Sequence, residues 1–117
     1  MAYLMSFKDT RDDDTVYAQA FAFLEEVHLS FRAKRASWSY FLYKTQGKGN
    51  RGIQGATLGR KDYSVSDADF DLYFSKPRIK ASQGIEDQCD IASAAILDTP
   101  SADGKSMVSF FNGATKV

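Results

Sequence analysis

Thr15–Phe31, TVYAQAFAFLEEVHLSF, decides the fold, because it carries two periods at once. As a helix, Tyr17, Phe21, Leu24, His28 and Phe31 fall on one stripe, and Asp14 or Thr15 is positioned to cap its start. As a strand, Tyr17, Gln19, Phe21 and Phe23 face one way, and Val16, Ala18, Ala20 and Ala22 the other. The local pattern of Thr15–Leu24 supports both readings. From Val27 the strand reading strengthens. Val27, Leu29, Phe31 and Ala33 alternate with His28, Ser30, Arg32 and Lys34, and many of these residues are β-branched or aromatic.

Working outward, Lys34–Ser37 (KRAS) reads as a turn, followed by a second strand rich in aromatics: Trp38, Tyr40, Phe41 and Tyr43. Upstream, Ala2–Phe7 is a short apolar strand that runs into the exposed acidic turn KDTRDDD. Downstream, Ala56–Val65 is a further short strand. Asp69–Phe74 (DFDLYF) alternates Phe70, Leu72 and Phe74 with Asp69, Asp71 and Tyr73. It also reads as a helix, with Ser66 and Asp69 as a capping-box-like pair, and Pro77 ends either element.

The tail turns helical. Ser82 is a suitable N-cap, and Glu86, Asp87 and Asp90 sit where the helix dipole favours anions. Ile85, Cys89, Ala92 and Ile96 form one apolar stripe, which predicts a helix over Gln83–Leu97. Met107, Phe110 and Phe111 recur at helical spacing before Asn112-Gly113, a natural C-cap. They predict a short final helix, with an edge strand through SMVSFF as the alternative. The fold class is therefore α+β: an N-terminal hairpin, an antiparallel meander sheet and two C-terminal helices. One domain spans 1–117, with sheet over 1–80 and helices over 81–117.

Length agrees with one domain, since 117 residues are enough for a core without staples. Lys plus Arg equals Asp plus Glu at 15 each, so net charge neither favours nor excludes a nucleic-acid partner. The distribution is uneven: Asp9–Asp14 is acidic, while Arg32–Arg35 and the run Lys44–Lys61 are basic. A single cysteine, Cys89, forbids an internal disulfide and fits a reducing compartment. MAYLMSF lacks a basic leader, and no apolar run reaches membrane-spanning length. The expectation is a soluble protein made inside the cell.

Candidate chemistry is sparse. Gly47–Gly52, GKGNRG, matches G-x-G-x-x-G, but IQGATLG after it is a poor helix former, so a flexible hairpin turn is the better reading. His28 and Cys89 are the only residues of their types, and a catalytic pair would need them to meet in space beside an orienting group. Cys89 on an apolar stripe reads as a structural thiol. One His and one Cys do not make a zinc site, and RDDD lacks the spacing of a calcium loop. No nucleophile elbow or Walker loop is present. Neither a catalytic residue nor a metal or cofactor is expected.

The feature that stands out is a polar, cationic strand face. His28, Ser30, Arg32 and Lys34 lie on one side, and Ser37, Ser39 and Tyr43 extend it onto the neighbouring strand. Arginine and lysine supply salt-sensitive attraction to phosphate. Seryl hydroxyls bond phosphate or base edges, and Tyr43 or Tyr73 is suited to stack on an unpaired base. The plainer reading is an antiparallel sheet with one solvated face.

VHLSFRAKRASWSYFLYK (27–44), together with DFDLYFSKP and SQGIEDQCDIASAAIL, resembles the coat proteins of the single-stranded RNA bacteriophages, the levivirus type. The likeness is one of pattern across most of the chain. It implies a homodimer whose C-terminal helices cross onto the partner's sheet, with Cys89 in the dimer core. It also implies a closed icosahedral shell, and an inner sheet face that binds an RNA hairpin or genomic RNA. Ser30, Arg32, Lys34, Ser37, Ser39, Tyr43 and Tyr73 would face that RNA. The protein would be a virion component made in the bacterial host cytoplasm, with no membrane partner. The rival reading makes residues 15–35 a helix in a small α+β protein-binding regulator of a phage or mobile element.

Overall fold

The computed structural model describes residues 2–9, 11, 14–47, 57–101 and 103–117. The chain runs β1 (Ala2–Asp9), β2 (Thr15–Ser30), β3 (Arg35–Tyr43), β4 (Thr57–Ser66), α1 (Asp67–Phe74), α2 (Lys76–Ala81), α3 (Ile85–Ala95), β5 (Thr99–Pro100), β6 (Met107–Val108) and β7 (Thr115–Lys116). β4, β3, β2, β1 and β7 form, in that order, one antiparallel five-stranded sheet. The α+β class, the N-terminal hairpin, the meander and the two C-terminal helices are all present. The first of those helices is bent at Ser75 into α1 and α2, and the second is α3.

Thr15–Ser30 is one 16-residue strand, not a helix. Its pairing with β1 sets Ala2 opposite Phe23, Leu4 opposite Phe21 and Met5 opposite Ala20, with an irregularity between Met5 and Phe7. The pairing explains the choice. A helix would bury only the stripe through Tyr17, Phe21 and Leu24, whereas the strand buries Phe21 on one face and Ala20 and Ala22 on the other. Asp9 is buried and accepts bonds from the Arg11 backbone N–H (3.0 Å) and Nε (3.2 Å).

The chain divides into two compact units. The first comprises Met1–Glu26, Ser39–Asp62 and Gly113–Val117. Ala2, Phe21 and Tyr43 form a buried cluster there, joined by Leu4, Phe23 and Phe41. Tyr3 meets Tyr40 edge-on, with ring centroids 6.1 Å apart. Glu25 and Glu26, adjacent on β2, both reach this unit's aromatic surface. Glu25 bonds Tyr43, and Glu26 pairs with Arg60 (3.7 Å), whose guanidinium lies over Phe41.

The second unit comprises Val27–Trp38 and Tyr63–Asn112. Trp38 is its centre, stacked on Tyr63 at 5.4 Å and packed against Phe74 at 5.3 Å. The Trp38 indole N–H donates to Ser93 Oγ at 2.8 Å, and Ser93 Oγ donates to the Cys89 carbonyl at 2.7 Å. These bonds fasten α3 to β3. Gln88 donates to the Tyr73 carbonyl, which ties α3 to α1.

Some details decide between alternatives that the sequence left open, and others differ from its reading. DFDLYF is helical, because Phe70 and Phe74 stand one helical turn apart and both become buried, while Leu72 is left outside. Pro77 sits in the first turn of α2, where its missing N–H breaks no bond. α3 spans Ile85–Ala95 within the expected range, but Gly84 stands at its N-cap position. Ser82 instead bonds the Ile79 carbonyl. The short final helix is not formed. Met107–Val108 pairs with Thr99–Pro100, and Ser109–Asn112 closes as a turn before Gly113 at φ +80°. Helices therefore occupy 67–95, and the last residues form short strands and turns.

Candidate nucleic-acid interface

β2 stops at Ser30, and residues 31–34 form the turn into β3, so the turn precedes Arg35 instead of spanning Lys34–Ser37. Ser30 Oγ accepts the Ala33 N–H at 3.3 Å, and Lys34 adopts a left-handed φ of +52°. Both features bend the chain away from strand geometry. Arg32 and Lys34 therefore lie on an exposed turn and not on the strand face expected for them. The Lys34 carbonyl accepts the Asp67 N–H at 3.0 Å, and Lys34 Nζ pairs with Asp71 at 3.1 Å. Phe31 packs edge-on against Phe70, with Lys76 over its ring.

Ser30 and Ser37 do come together. Both line a cavity of about 500 Å³ with His28 and Arg35 and with Ser64 and Ser66 from β4. Residues i and i+2 of a strand share a face, so β2 contributes His28 and Ser30, β3 Arg35 and Ser37, and β4 Ser64 and Ser66. Ser64 and Ser66 are not among the residues that the sequence reading selects. Their signal is the alternation YSVS at the end of β4, the same serine-x-serine spacing seen in Ser37 and Ser39.

Ser39 and Tyr43 are buried and already bonded. Ser39 Oγ donates to Asp62 at 2.5 Å and accepts from Arg60 Nη2 at 3.1 Å, while Arg60 Nε reaches Asp62 at 2.9 Å. The Ser39 hydroxyl first, and Arg60 second, hold the Asp62 carboxyl below its ordinary value of 3.8. Tyr43 Oη donates to Glu25 at 2.6 Å; burial, reinforced by Glu25, pushes the phenol up to about 12. Tyr73 sits on α1, not on a strand, and lines a separate cavity of about 350 Å³ with Leu72, Arg78 and Ile91. The continuous cationic face expected from alternation is thus broken up into a turn, a cavity and an interior.

Outside this region, Cys89 is fully buried, and its thiol is pushed up to about 12 by burial, with Asp90 adding to the effect. Such a thiol does not supply a thiolate near neutral pH. Among the described residues, no group of three His, Cys, Asp or Glu side chains is arranged to hold a metal ion, and no helix is long and apolar enough to cross a membrane. The glycine-rich motif lies, beyond Gly47, outside the described residues. Apolar side chains remain exposed on the helices: Leu72 on α1 and Ile91 on α3, with Leu97 just after α3. Compared with family models, curated proteins and solved structures, the chain matches none.

Proposed function

We propose that the chain is a shell-forming coat protein of the single-stranded RNA bacteriophage type, which dimerises through its C-terminal helices and carries RNA against its sheet. The observation that carries this reading is the strand Thr15–Ser30. With it, the meander precedes every described helix but the stretch at Gln46, the order that the coat resemblance implies. The rival regulator rests on a long helix over 15–35 and loses that premise. The exposed Leu72 on α1 and Ile91 on α3, with Leu97 just after it, support association through the helices, since exposed apolar side chains gain from a covering partner. Arg32 on the exposed turn, and Ser30 and Ser37 in the cavity, support binding to a phosphate backbone. The protein would work in the virion after synthesis in the host cytoplasm, with no catalytic role.

Size-exclusion chromatography with light scattering, read at 260 and 280 nm, tests this. A very large, symmetric species carrying nuclease-protected RNA is expected. A nucleic-acid-free monomer or dimer that never assembles with added RNA would overturn the reading.

A further inference from the structure

We propose that the cavity at the turn end of β2, β3 and β4 is a phosphate-ester site that takes the phosphoryl group of a nucleotide. His28, Arg35, Ser37, Ser64 and Ser66 line it, and among the described residues none of these side chains has a hydrogen-bond or ion-pair partner within the chain. The contrast with Ser39 and Tyr43 is informative, because those two polar groups are bonded internally. These five polar side chains line one cavity, and each can donate a hydrogen bond to an acceptor bound there.

The donor set selects an anion. Among the described residues, no carboxylate lines the cavity. In sequence, Asp67 borders Ser66, while Glu26 and Asp62 stand two residues from His28 and Ser64; Arg60 pairs with both of these, and Lys34 engages Asp71. Arg35 offers a planar fork that matches two phosphate oxygens at once, and serine hydroxyls and an imidazole N–H add single bonds. Ser66 stands at the N-cap of α1 without bonding the helix, so its hydroxyl remains available. Size argues for more than a free phosphate ion, because about 500 Å³ lies in the range of sites for small organic ligands. Leu29, Ala36 and Val65 complete the lining with apolar surface for a sugar or base.

The same phosphate ester arises in a free nucleotide and in an RNA chain, and isothermal titration calorimetry on the full-length, nuclease-treated protein separates them. The probes are AMP, adenosine, inorganic phosphate and an oligoadenylate without a terminal phosphate. AMP is expected to bind at least tenfold more tightly than adenosine and more tightly than inorganic phosphate. Arg35→Gln should weaken AMP about 10- to 100-fold, the range for losing a charge-assisted bond. Ser64→Ala, at an exposed position, should weaken it several-fold. An oligoadenylate that binds more tightly than AMP, and loses that affinity in Arg35→Gln, identifies the RNA chain as the source; the reverse order identifies the free nucleotide. The proposal is overturned if AMP shows no binding at millimolar concentration, if adenosine binds equally well, or if both variants keep wild-type affinity. It uses the coat reading only for RNA as a source, so a small RNA-free species in light scattering would remove that reading and leave Arg35-dependent AMP binding standing.

Discussion

Ser93 is the residue on which the second unit turns. Its hydroxyl accepts the Trp38 N–H and donates to the Cys89 carbonyl, all within a fully buried environment. Ser93→Ala removes the acceptor and strands the indole N–H, so a loss of about 1–3 kcal/mol is expected in urea denaturation followed by circular dichroism. Two titrating residues set opposite pH limits in the first unit. Asp62 has its folded value below 3.8, so its contribution is present above that value and lost as pH falls through the lower one. Tyr43 is raised from 10.0 to about 12, so its contribution is complete below 10 and is lost as pH rises from there towards 12. Stability curves against pH should therefore decline at both ends. Asp62→Asn should flatten the acid limb and Tyr43→Phe the alkaline limb; unchanged limbs would remove these residues as the cause.

At the scale of elements, the junction between α2 and α3 depends on Gly84. Its φ of +121° with ψ of −174° is a backbone region almost restricted to glycine, and an added Cβ would meet nothing within 4 Å. Gly84→Ala should therefore lower stability by about 1–3 kcal/mol through backbone strain alone, measured by thermal or urea unfolding. The same scale shows where the sequence is legible. α3 announces itself because dipole-favoured acids and an apolar stripe agree. The first strand and its hairpin are also readable. Thr15–Leu24 is undecided on its own because its tie is broken by β1, a partner outside the window. Phe70 and Phe74 satisfy a period of two and a helical turn alike, so DFDLYF reads either way. In the site, Ser30 and Ser37 follow from alternation. Arg32 and Lys34 do not, because the strand ends before them. Ser39 and Tyr43 are claimed by Asp62 and Glu25, carboxylates 23 and 18 residues away that no local pattern reveals.

For the whole molecule, the proposed assembly and RNA binding make separable predictions. Ile91→Asp places a charge on the exposed apolar part of α3, where Ile91 is 46% exposed. It should reduce the light-scattering mass while the circular dichroism spectrum stays unchanged. An unaltered mass would exclude this surface from association. The double change Arg32→Ala and Lys34→Ala should weaken RNA retention and flatten its salt dependence. The slope should fall by roughly 0.7 for each single-strand phosphate that is no longer neutralised. Of the two, Arg32 should account for the larger part, because Lys34 already spends its charge on Asp71. Equal effects from the two single variants would mean that the Lys34–Asp71 pair opens when RNA binds.

Trp38 is the chain's single tryptophan, and its stacking on Tyr63 and its bond to Ser93 have an optical consequence. An indole sealed from water emits at shorter wavelength than one in solvent, and a tyrosine ring stacked on it passes on its excitation. The chain therefore carries its own fluorophore at the seam where α3 meets β3. Lifting α3 would shift that emission to the red even while the strands stayed paired, so intrinsic fluorescence follows the docking of a single helix.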